Sequence, residues 1–256
     1  AQDALALVHQ FLAGGGGAWT ITASLAAGVH AIAAQATDAA GNAGAMSAAL
    51  TVTITDTPLV PTVPDLAGAS DTGLSPGDNV TSMTTPTFQG RGEPGAQVVL
   101  YDGAKEIGRG GVGALGNWAV KASALAPGSH AITARTLRAG GALSDPSAAL
   151  TVMIDTAAPA APGAPDLIGT SDRGRSPSDN ITSARTPLIV GRAEANGRIT
   201  LYDGATVVGS GGVGALGNWA VRTSELAAGV HTLTARVTDV AGNVSTASVA
   251  LAVTID

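Results

Sequence analysis

The sequence predicts an all-β fold, and three observations predict it. Apolar residues alternate with polar or small ones along many short stretches, which is the pattern of strands with one buried face. Turn-forming residues interrupt these stretches about every 8 to 12 residues. A long segment also repeats, because Pro64 aligns with Pro165 and the same offset of 101 residues continues for about ninety residues. A repeat of that length is typical of a whole domain in tandem copies.

Composition narrows the classes of protein to which the chain can belong. Cysteine is absent, so neither disulfides nor thiolate metal sites can stabilise the fold. The net charge of −6 and the lack of a Lys/Arg cluster argue against nucleic-acid binding. No stretch approaches the roughly 18 consecutive apolar residues of a membrane span, so no membrane insertion is expected in this segment. The dispersed acidic residues favour the binding of divalent cations.

The repeat divides the chain into three parts. Residues 58–157 and 158–256 are predicted to be complete domains. Residues 1–57 match only the later half of a domain, because GGGGAWTITASLAAGVHAIAAQATDAAGN parallels ALGNWAVRTSELAAGVHTLTARVTDVAGN. We therefore expect a partial domain whose open strand edges are covered by another chain or by a longer parent protein.

Strands can be placed within one copy from alternation and turn chemistry. Ile199 and Leu201 share one face of a strand, and Asp203 and Gly204 follow as a tight hairpin turn. From His231 onwards, every second residue of a later strand faces inward. About seven short strands in roughly 100 residues indicate tandem immunoglobulin-like β-sandwich domains. The tryptophans at matching positions are expected to anchor the three cores: Trp19, Trp118 and Trp219.

Gly111, Gly113 and Gly116 spell G-x-G-x-x-G, the pattern of a dinucleotide-binding loop. Such a loop opens a helix and is followed about 20 positions later by an acidic residue. Here a period-2 strand pattern follows instead, and VGALGNWAV at 112–120 recurs unchanged at 213–221. The glycines are therefore predicted to form a structural turn between two strands.

The histidines give no indication of an enzyme. His30, His130 and His231 occupy one position of the repeat, at the start of a strand that faces the core. Three copies of a catalytic base are improbable, so packed or hydrogen-bonded histidines are expected. We find no catalytic constellation and predict that the chain is not an enzyme.

The motifs SDxGxSxxDNxT, LYDG, GNW and TDxAGN, followed by a closing V-x-I-D, together resemble the bacterial Ig-like tandem repeats of giant secreted, biofilm-associated adhesins. The resemblance covers essentially the whole chain. It implies a surface stalk that calcium often stiffens, in a protein that leaves Gram-negative cells by type I secretion. The implied location is the bacterial cell surface or the extracellular space.

Acidic residues are predicted to meet at the joint between the second and third domains. Two loops at one end of the third sandwich carry Glu194, Asp239 and Asn243, and the linker brings Asp155 to the same end. Ca²⁺ takes about six to eight oxygen ligands, and three uncompensated carboxylates in one place would repel each other. The sequence therefore predicts a calcium site here, with three separately solvated carboxylates as the alternative.

A second acidic cluster lies in the loop SDRGRSPSDN and in its earlier copy SDTGLSPGDN. Its spacing is not that of an EF-hand. Aspartate and asparagine also form ordinary Asx turns, so a calcium site and a purely structural turn remain open as alternatives. The candidate ligands are Asp172, Asp179 and Asn180 in the later copy, and Asp71, Asp78 and Asn79 in the earlier one.

The joint before the second domain is predicted to differ. Asp56 and Glu93 are present as candidate calcium ligands, but Arg138 and Ala142 occupy the positions of the loop aspartate and asparagine. An arginine there can neutralise Glu93 without a metal.

Three functions fit these observations. The first is a stalk segment of a bacterial adhesin, with neighbouring Ig-like domains of the same long chain as partners. The second is a subunit of an extracellular filament or surface layer, in which strand complementation joins copies of the chain. The third is an accessory module of a secreted polysaccharide enzyme, which the scarcity of aromatic residues disfavours.

Overall fold

The computed structural model describes residues 23–54, 56–172, 175–176 and 178–256. All regular secondary structure assigned to these residues is β-strand, so the all-β prediction is confirmed. The chain divides into two compact units, Ala1–Pro58 and Leu59–Asp256. We call the first unit the first segment, and we call the two sandwiches of the second unit the second and third domains.

The first segment contains two antiparallel pairs of strands. Strand β1 pairs with β4, and β2 pairs with β3. Their bounds are β1 Gly28–Ile32, β2 Gln35–Thr37, β3 Ala43–Met46 and β4 Leu50–Ile54.

The second domain has two sheets. One contains three strands in the order β10-β7-β5, and the other contains five in the order β6-β12-β11-β8-β9. Only the short β6 pairs in parallel, with β12. The strands are β5 Asp65–Leu66, β6 Val80–Thr81, β7 Thr87–Arg91, β8 Gln97–Asp102, β9 Lys105–Gly111, β10 Asn117–Lys121, β11 Gly128–Leu137 and β12 Leu150–Ile154.

The third domain repeats this topology strand for strand. Its sheets have the orders β13-β15-β18 and β14-β20-β19-β16-β17. The strands are β13 Asp166–Leu167, β14 Ile181–Thr182, β15 Leu188–Arg192, β16 Arg198–Asp203, β17 Thr206–Gly212, β18 Asn218–Arg222, β19 Gly229–Thr238 and β20 Leu251–Ile255.

Each domain has its own apolar core, built from the inward residues that alternation predicts. In the third domain, Leu233 and Ala235 of β19 are fully buried, while Arg236 is exposed. Trp118 and Trp219 are each 4% exposed, so they anchor the cores as predicted. The predicted anchor Trp19 lies outside the described residues.

The G-x-G-x-x-G segment forms a turn, as predicted. Gly113 donates its backbone N–H to the carbonyl of Asn117 at 2.9 Å, and Gly116 donates to the carbonyl of Gly113 at 2.8 Å. Gly116 has φ 81°, a left-handed conformation that glycine adopts without a steric penalty. Strand β10 follows directly, and no helix begins here.

The repeated histidines are hydrogen-bonded, as predicted. In His130, Nδ1 lies 2.7 Å from Oδ2 of Asp102 and Nε2 lies 2.8 Å from the carbonyl of Ala126. His231 has the same arrangement, with Asp203 and Ala227. Since both ring nitrogens face acceptors, the geometry favours the imidazolium form.

These contacts predict a pH-dependent stability. Burial lowers the pKa of His130, but the Ala126 carbonyl and the Asp102 carboxylate outweigh it, and the net pKa is raised. The hydrogen bond to Asp203, followed by the one to the Ala227 carbonyl, raises the pKa of His231. A raised folded-state pKa stabilises the fold below the unfolded value of about 6.5, and this stabilisation is lost as pH rises through the folded value.

We therefore expect the second unit to melt at a higher temperature at pH 6 than at pH 8.5. Replacing both His130 and His231 with glutamine should reduce that difference, because glutamine does not titrate. Thermal melts of the parent chain and the double variant at both pH values measure the effect. An unchanged pH difference in the variant would show that other groups cause it.

Candidate functional site

The joint between the second and third domains is formed by a turn of the third domain, residues 238–243. Asp239, only 3% exposed, shapes this turn. Its Oδ1 accepts the backbone N–H groups of Ala241 and Asn243 at 2.9 and 2.8 Å, and its Oδ2 accepts the Asn243 side-chain amide at 2.9 Å. The carboxylate thus satisfies the turn's own donors, as an Asx turn does.

This turn contacts a loop of the second domain directly. The Thr72 hydroxyl donates to the carbonyl of Ala241 at 2.7 Å, and the Leu74 backbone N–H donates to the carbonyl of Val240 at 3.2 Å. The backbones approach so closely that a Cβ on Gly242 would overlap the carbonyl oxygen of Thr72. The two domains therefore meet through hydrogen bonds that require glycine at this position.

The linker between the domains takes part in the same joint. The Asn243 side chain donates to the backbone carbonyl of Asp155 at 2.8 Å. The Asp155 backbone N–H donates to the carbonyl of Thr81 at 2.9 Å, and its Oδ1 accepts the N–H of Ala157 at 2.9 Å. Asn243 thus links the turn of the third domain to the end of the second.

Glu194 is placed differently from the other predicted ligands. It lies in the loop between β15 and β16, and its side chain is exposed. In the described part of the chain, no hydrogen bond or ion pair of its carboxylate is found. Asn243 therefore contacts both Asp155 and Asp239, whereas the convergence of Glu194 with them stays a prediction.

The second acidic cluster combines turn-forming carboxylates with buried ones. Asp78 accepts the backbone N–H of Val80 at 3.1 Å, and Asp179 accepts that of Ile181 at 3.1 Å, so both form Asx turns. By contrast, Asp71 and Asp172 are 8% and 5% exposed, and each has one buried carboxylate oxygen, Oδ1, without a hydrogen-bond partner among the described residues.

Burial, followed by the charge of Asp78, raises the pKa of Asp71. The residues that follow Asp78 and Asp179 in the chain are Asn79 and Asn180. Both adopt left-handed backbone conformations, with φ 58° and 56°. Asn180 also donates its backbone N–H to Oδ2 of Asp172 at 3.2 Å. In both copies, the described residues of the loop therefore leave one buried carboxylate oxygen unpaired.

The structure brings the earlier copy of the second acidic cluster to the joint at which Asp239 and Asn243 lie. The loop that carries Asp71 continues through Thr72 and Leu74, which contact the third domain, and it ends in β6, which pairs beside the linker residue Asp155. The sequence did not reveal Thr72, Leu74 or Gly242 as joint residues. The glycines in both contacting loops could have indicated a close contact between the domains. Glycine occurs in turns for many other reasons, however, so the sequence did not distinguish these glycines from others.

The residues predicted for the first joint show the expected ion pair. Arg138 Nε lies 2.7 Å from Oε1 of Glu93, and both side chains are largely buried. Oε2 of Glu93 accepts the backbone N–H of Leu59 at 3.2 Å, and the Leu59 carbonyl accepts the Thr136 hydroxyl at 2.6 Å. Glu93 is thus neutralised by arginine, as predicted. Asp56 belongs to the first segment.

Within the described ranges, no group of three or more His, Cys, Asp or Glu side chains is arranged to hold a metal ion. None of the described residues belongs to a helix long and apolar enough to cross a membrane.

Comparisons with known proteins place the chain among bacterial domains. It is 32% identical over 248 residues to exoglucanase B of Cellulomonas fimi, a match that covers 92% of this chain but only 21% of that protein. Among solved structures, the fibronectin(III)-like modules of Clostridium thermocellum CbhA are 15% identical, with a TM-score of 0.42, and cover 69% of this chain and 88% of theirs.

A Ca²⁺-stabilized adhesin that helps an Antarctic bacterium bind ice is 20% identical, with a TM-score of 0.39. That match covers 87% of this chain and 55% of the adhesin chain. The bacterial Ig-like domain family matches residues 55–156 and 159–256, so the chain belongs to this family.

Proposed function

We propose that this chain is an extender segment in the stalk of a bacterial cell-surface adhesin, where tandem Ig-like domains hold a distant binding tip away from the cell. The observation that carries the proposal is the hydrogen-bonded joint between the second and third domains. A spacer needs joints that resist bending, and this joint uses groups from both domains and from the linker. The proposed location is the extracellular surface, reached by type I secretion.

Backbone ¹⁵N relaxation of the whole chain tests this role. The second and third domains should share one anisotropic tumbling tensor, because their joint couples them. Asn243→Ala removes the contact with the linker and should give the third domain a separate, shorter correlation time. If the two domains tumble independently in the parent chain, the extender function loses its structural basis.

We propose further that calcium strengthens this joint. Ca²⁺ binds carboxylate and carbonyl oxygens, and Asp71 offers a buried oxygen that no donor in the described part of the chain satisfies. Asp71 and Asp78 would hold the ion from the second domain, with Asp155 and Asp239 nearby at the joint. The ion would offset the repulsion between carboxylates. Backbone carbonyls and water would complete its coordination, since two aspartates alone supply too few oxygens.

The other predicted ligands fit this proposal to different degrees. The matching loop of the third domain carries Asp172, Asp179 and Asn180. These residues would hold an equivalent ion, because Asp172 also has a buried oxygen that the described residues leave unpaired. Glu194 would join the ion at the joint only if its exposed side chain turns inward. Glu93 is already paired with Arg138, which weakens the case for calcium there.

Calcium is expected to raise the melting temperature of the unsubstituted chain, because an ion that binds only the folded state stabilises it. The free energy of unfolding would increase by about 2.7 kcal/mol when the calcium concentration is a hundred times the dissociation constant. Asp71→Asn and Asp172→Asn should each reduce the increase, since each removes a negatively charged ligand. Asp145→Asn, in an exposed loop, is the matched control. If millimolar calcium leaves the parent's melting temperature unchanged, both loops are Asx turns only.

A second candidate function is a filament or surface-layer subunit assembled by strand complementation. In the second domain, β11 pairs with β12 on one side and β8 on the other. Its counterpart β1 pairs with β4 only, as far as the described residues extend, and Ile32 is half-buried where Ile132 is fully buried. A donated strand would complete β1. Light scattering should then show association that grows with concentration, and a strict monomer would exclude this function.

The similarity to exoglucanase B supports the third candidate, a spacer module in a secreted polysaccharide enzyme. The mechanical role of the joint would be the same in such an enzyme. The sequence that flanks this segment in its gene distinguishes the two: further Ig-like copies favour the adhesin, and a glycoside hydrolase domain favours the enzyme.

A further inference from the structure

A recess of about 360 Å³ lies on the outer face of the five-stranded sheet in the second domain. The β8–β9 hairpin turn, strand β11 and the loop before β12 enclose it. Its lining residues are Tyr101, Gly103, Ala104, Thr133, Arg135 and Pro146. It lies on the face of the sheet opposite to the one that carries Leu100 and Ala134, which are fully buried in the core beside Tyr101 and Arg135.

The Arg135 guanidinium is the chemically unsatisfied group of this recess. It lies 6.0 Å from the centroid of the Tyr101 ring, a cation–π arrangement that restrains it. Within the described part of the chain, its N–H groups form no hydrogen bond or ion pair. Two carboxylates near the hairpin have partners of their own, since Asp102 contacts His130 and Glu106 contacts Arg109. A third carboxylate, that of Asp145, lies in the exposed loop beside the lining residue Pro146. Among the residues that line the recess, Arg135 is the charged one.

We propose that this recess binds a carboxylate-bearing sugar, such as a uronic acid residue of an acidic polysaccharide. A guanidinium presents N–H donors in a fork that matches a carboxylate bidentately. The hydroxyls of Tyr101 and Thr133 supply donors and acceptors for sugar hydroxyls. The small residues of the hairpin turn, Gly103 and Ala104, leave room for a sugar ring to approach the backbone.

The surrounding strands favour a sugar over a peptide as the ligand. An extended peptide would bind by adding to a free strand edge. Strand β8 is paired with β9 and β11, and β11 is paired with β8 and β12, so neither strand beside the recess has a free edge. The ligand must be recognised by side chains, as an acidic sugar would be. This site is independent of the extender function.

The third domain offers a matched control. Tyr202 and Arg236 occupy the equivalent positions, but the Arg236 guanidinium donates to the carbonyl of Ser245 at 3.2 Å. Ala247 stands where the second domain has Pro146. Arg236 is therefore already hydrogen-bonded within its own domain, and its replacement should not affect binding at the recess.

The test is an NMR titration of the whole ¹⁵N-labelled chain with trigalacturonate, its methyl ester and sodium acetate. We expect trigalacturonate to shift the amide signals of Gly103, Ala104 and Thr133. Arg135→Gln should weaken binding by about tenfold or more, because a charge-assisted contact is lost, whereas Arg236→Gln should bind as the parent does. Unchanged melting temperatures of both variants exclude unfolding as the cause.

Three outcomes would overturn the proposal. Equal binding of the methyl ester would show that the carboxylate is not recognised. Equal binding of acetate per carboxylate would show a general anion site rather than a sugar site. Parent-like affinity in Arg135→Gln would place binding elsewhere on the chain.

Discussion

Replacing Gly242 with alanine is expected to uncouple the second and third domains. A Cβ at this position would overlap the Thr72 carbonyl oxygen, so the turn must withdraw from the loop of the second domain. The hydrogen bonds from Thr72 to Ala241 and from Leu74 to Val240 would be lost together. Each such bond contributes about 1 kcal/mol, and their loss removes most of the direct contact described at this joint.

Gly141→Ala is the matched control for backbone strain. Gly141 occupies the same place in the second domain and has nearly the same φ, 91° against 92°, but a Cβ there would meet nothing within 4 Å. Both variants therefore incur a left-handed strain of about 1–2 kcal/mol. Only Gly242→Ala should also give the third domain its own correlation time in ¹⁵N relaxation. Identical relaxation of the two variants would show that the joint does not restrain the domains.

Replacing Trp219 with alanine should cause a large loss of stability, about 3–5 kcal/mol in the third domain. The indole is almost fully buried, and the adjoining strand leaves space for it: a Cβ on Gly191 would lie 2.5 Å from the ring. An alanine leaves a cavity beside Gly191, which has no side chain to fill it. Chemical denaturation of the whole chain, followed by domain-resolved hydrogen exchange, measures the loss.

Trp118→Ala provides the corresponding experiment in the second domain. Trp118 packs against Gly90 in the same way and is equally buried, so its loss should have a similar magnitude. The destabilisation should be largest in the domain that carries the substitution. A loss below about 1 kcal/mol in either variant would mean that the core closes around the vacated space and that the tryptophan is not its anchor.

The sequence alone determined the fold and much of its local chemistry. Alternation with period 2 identifies the core residues of β16 and β19, because one face of each strand must leave water. The 101-residue repeat shows that three histidines occupy equivalent positions and therefore have a structural role. The matching hydrogen bonds of His130 and His231 agree with this prediction. The repeat aligns Arg138 with Asp239, and an arginine in that loop was enough to predict its ion pair with Glu93.

The tertiary structure decided how the second and third domains meet. Nothing in the sequence shows that the loop of Asp71 and the turn of Asp239 belong to one joint, because they lie more than 160 residues apart and in different domains. Asp239 and Asp71 are residues of the same type, but the Asp239 carboxylate accepts the N–H groups of its own turn, whereas one oxygen of Asp71 has no partner in the described ranges. Periodicity and turn propensity describe neighbours along the chain, whereas the hydrogen bonds of a carboxylate depend on the donors that the folded chain brings to it.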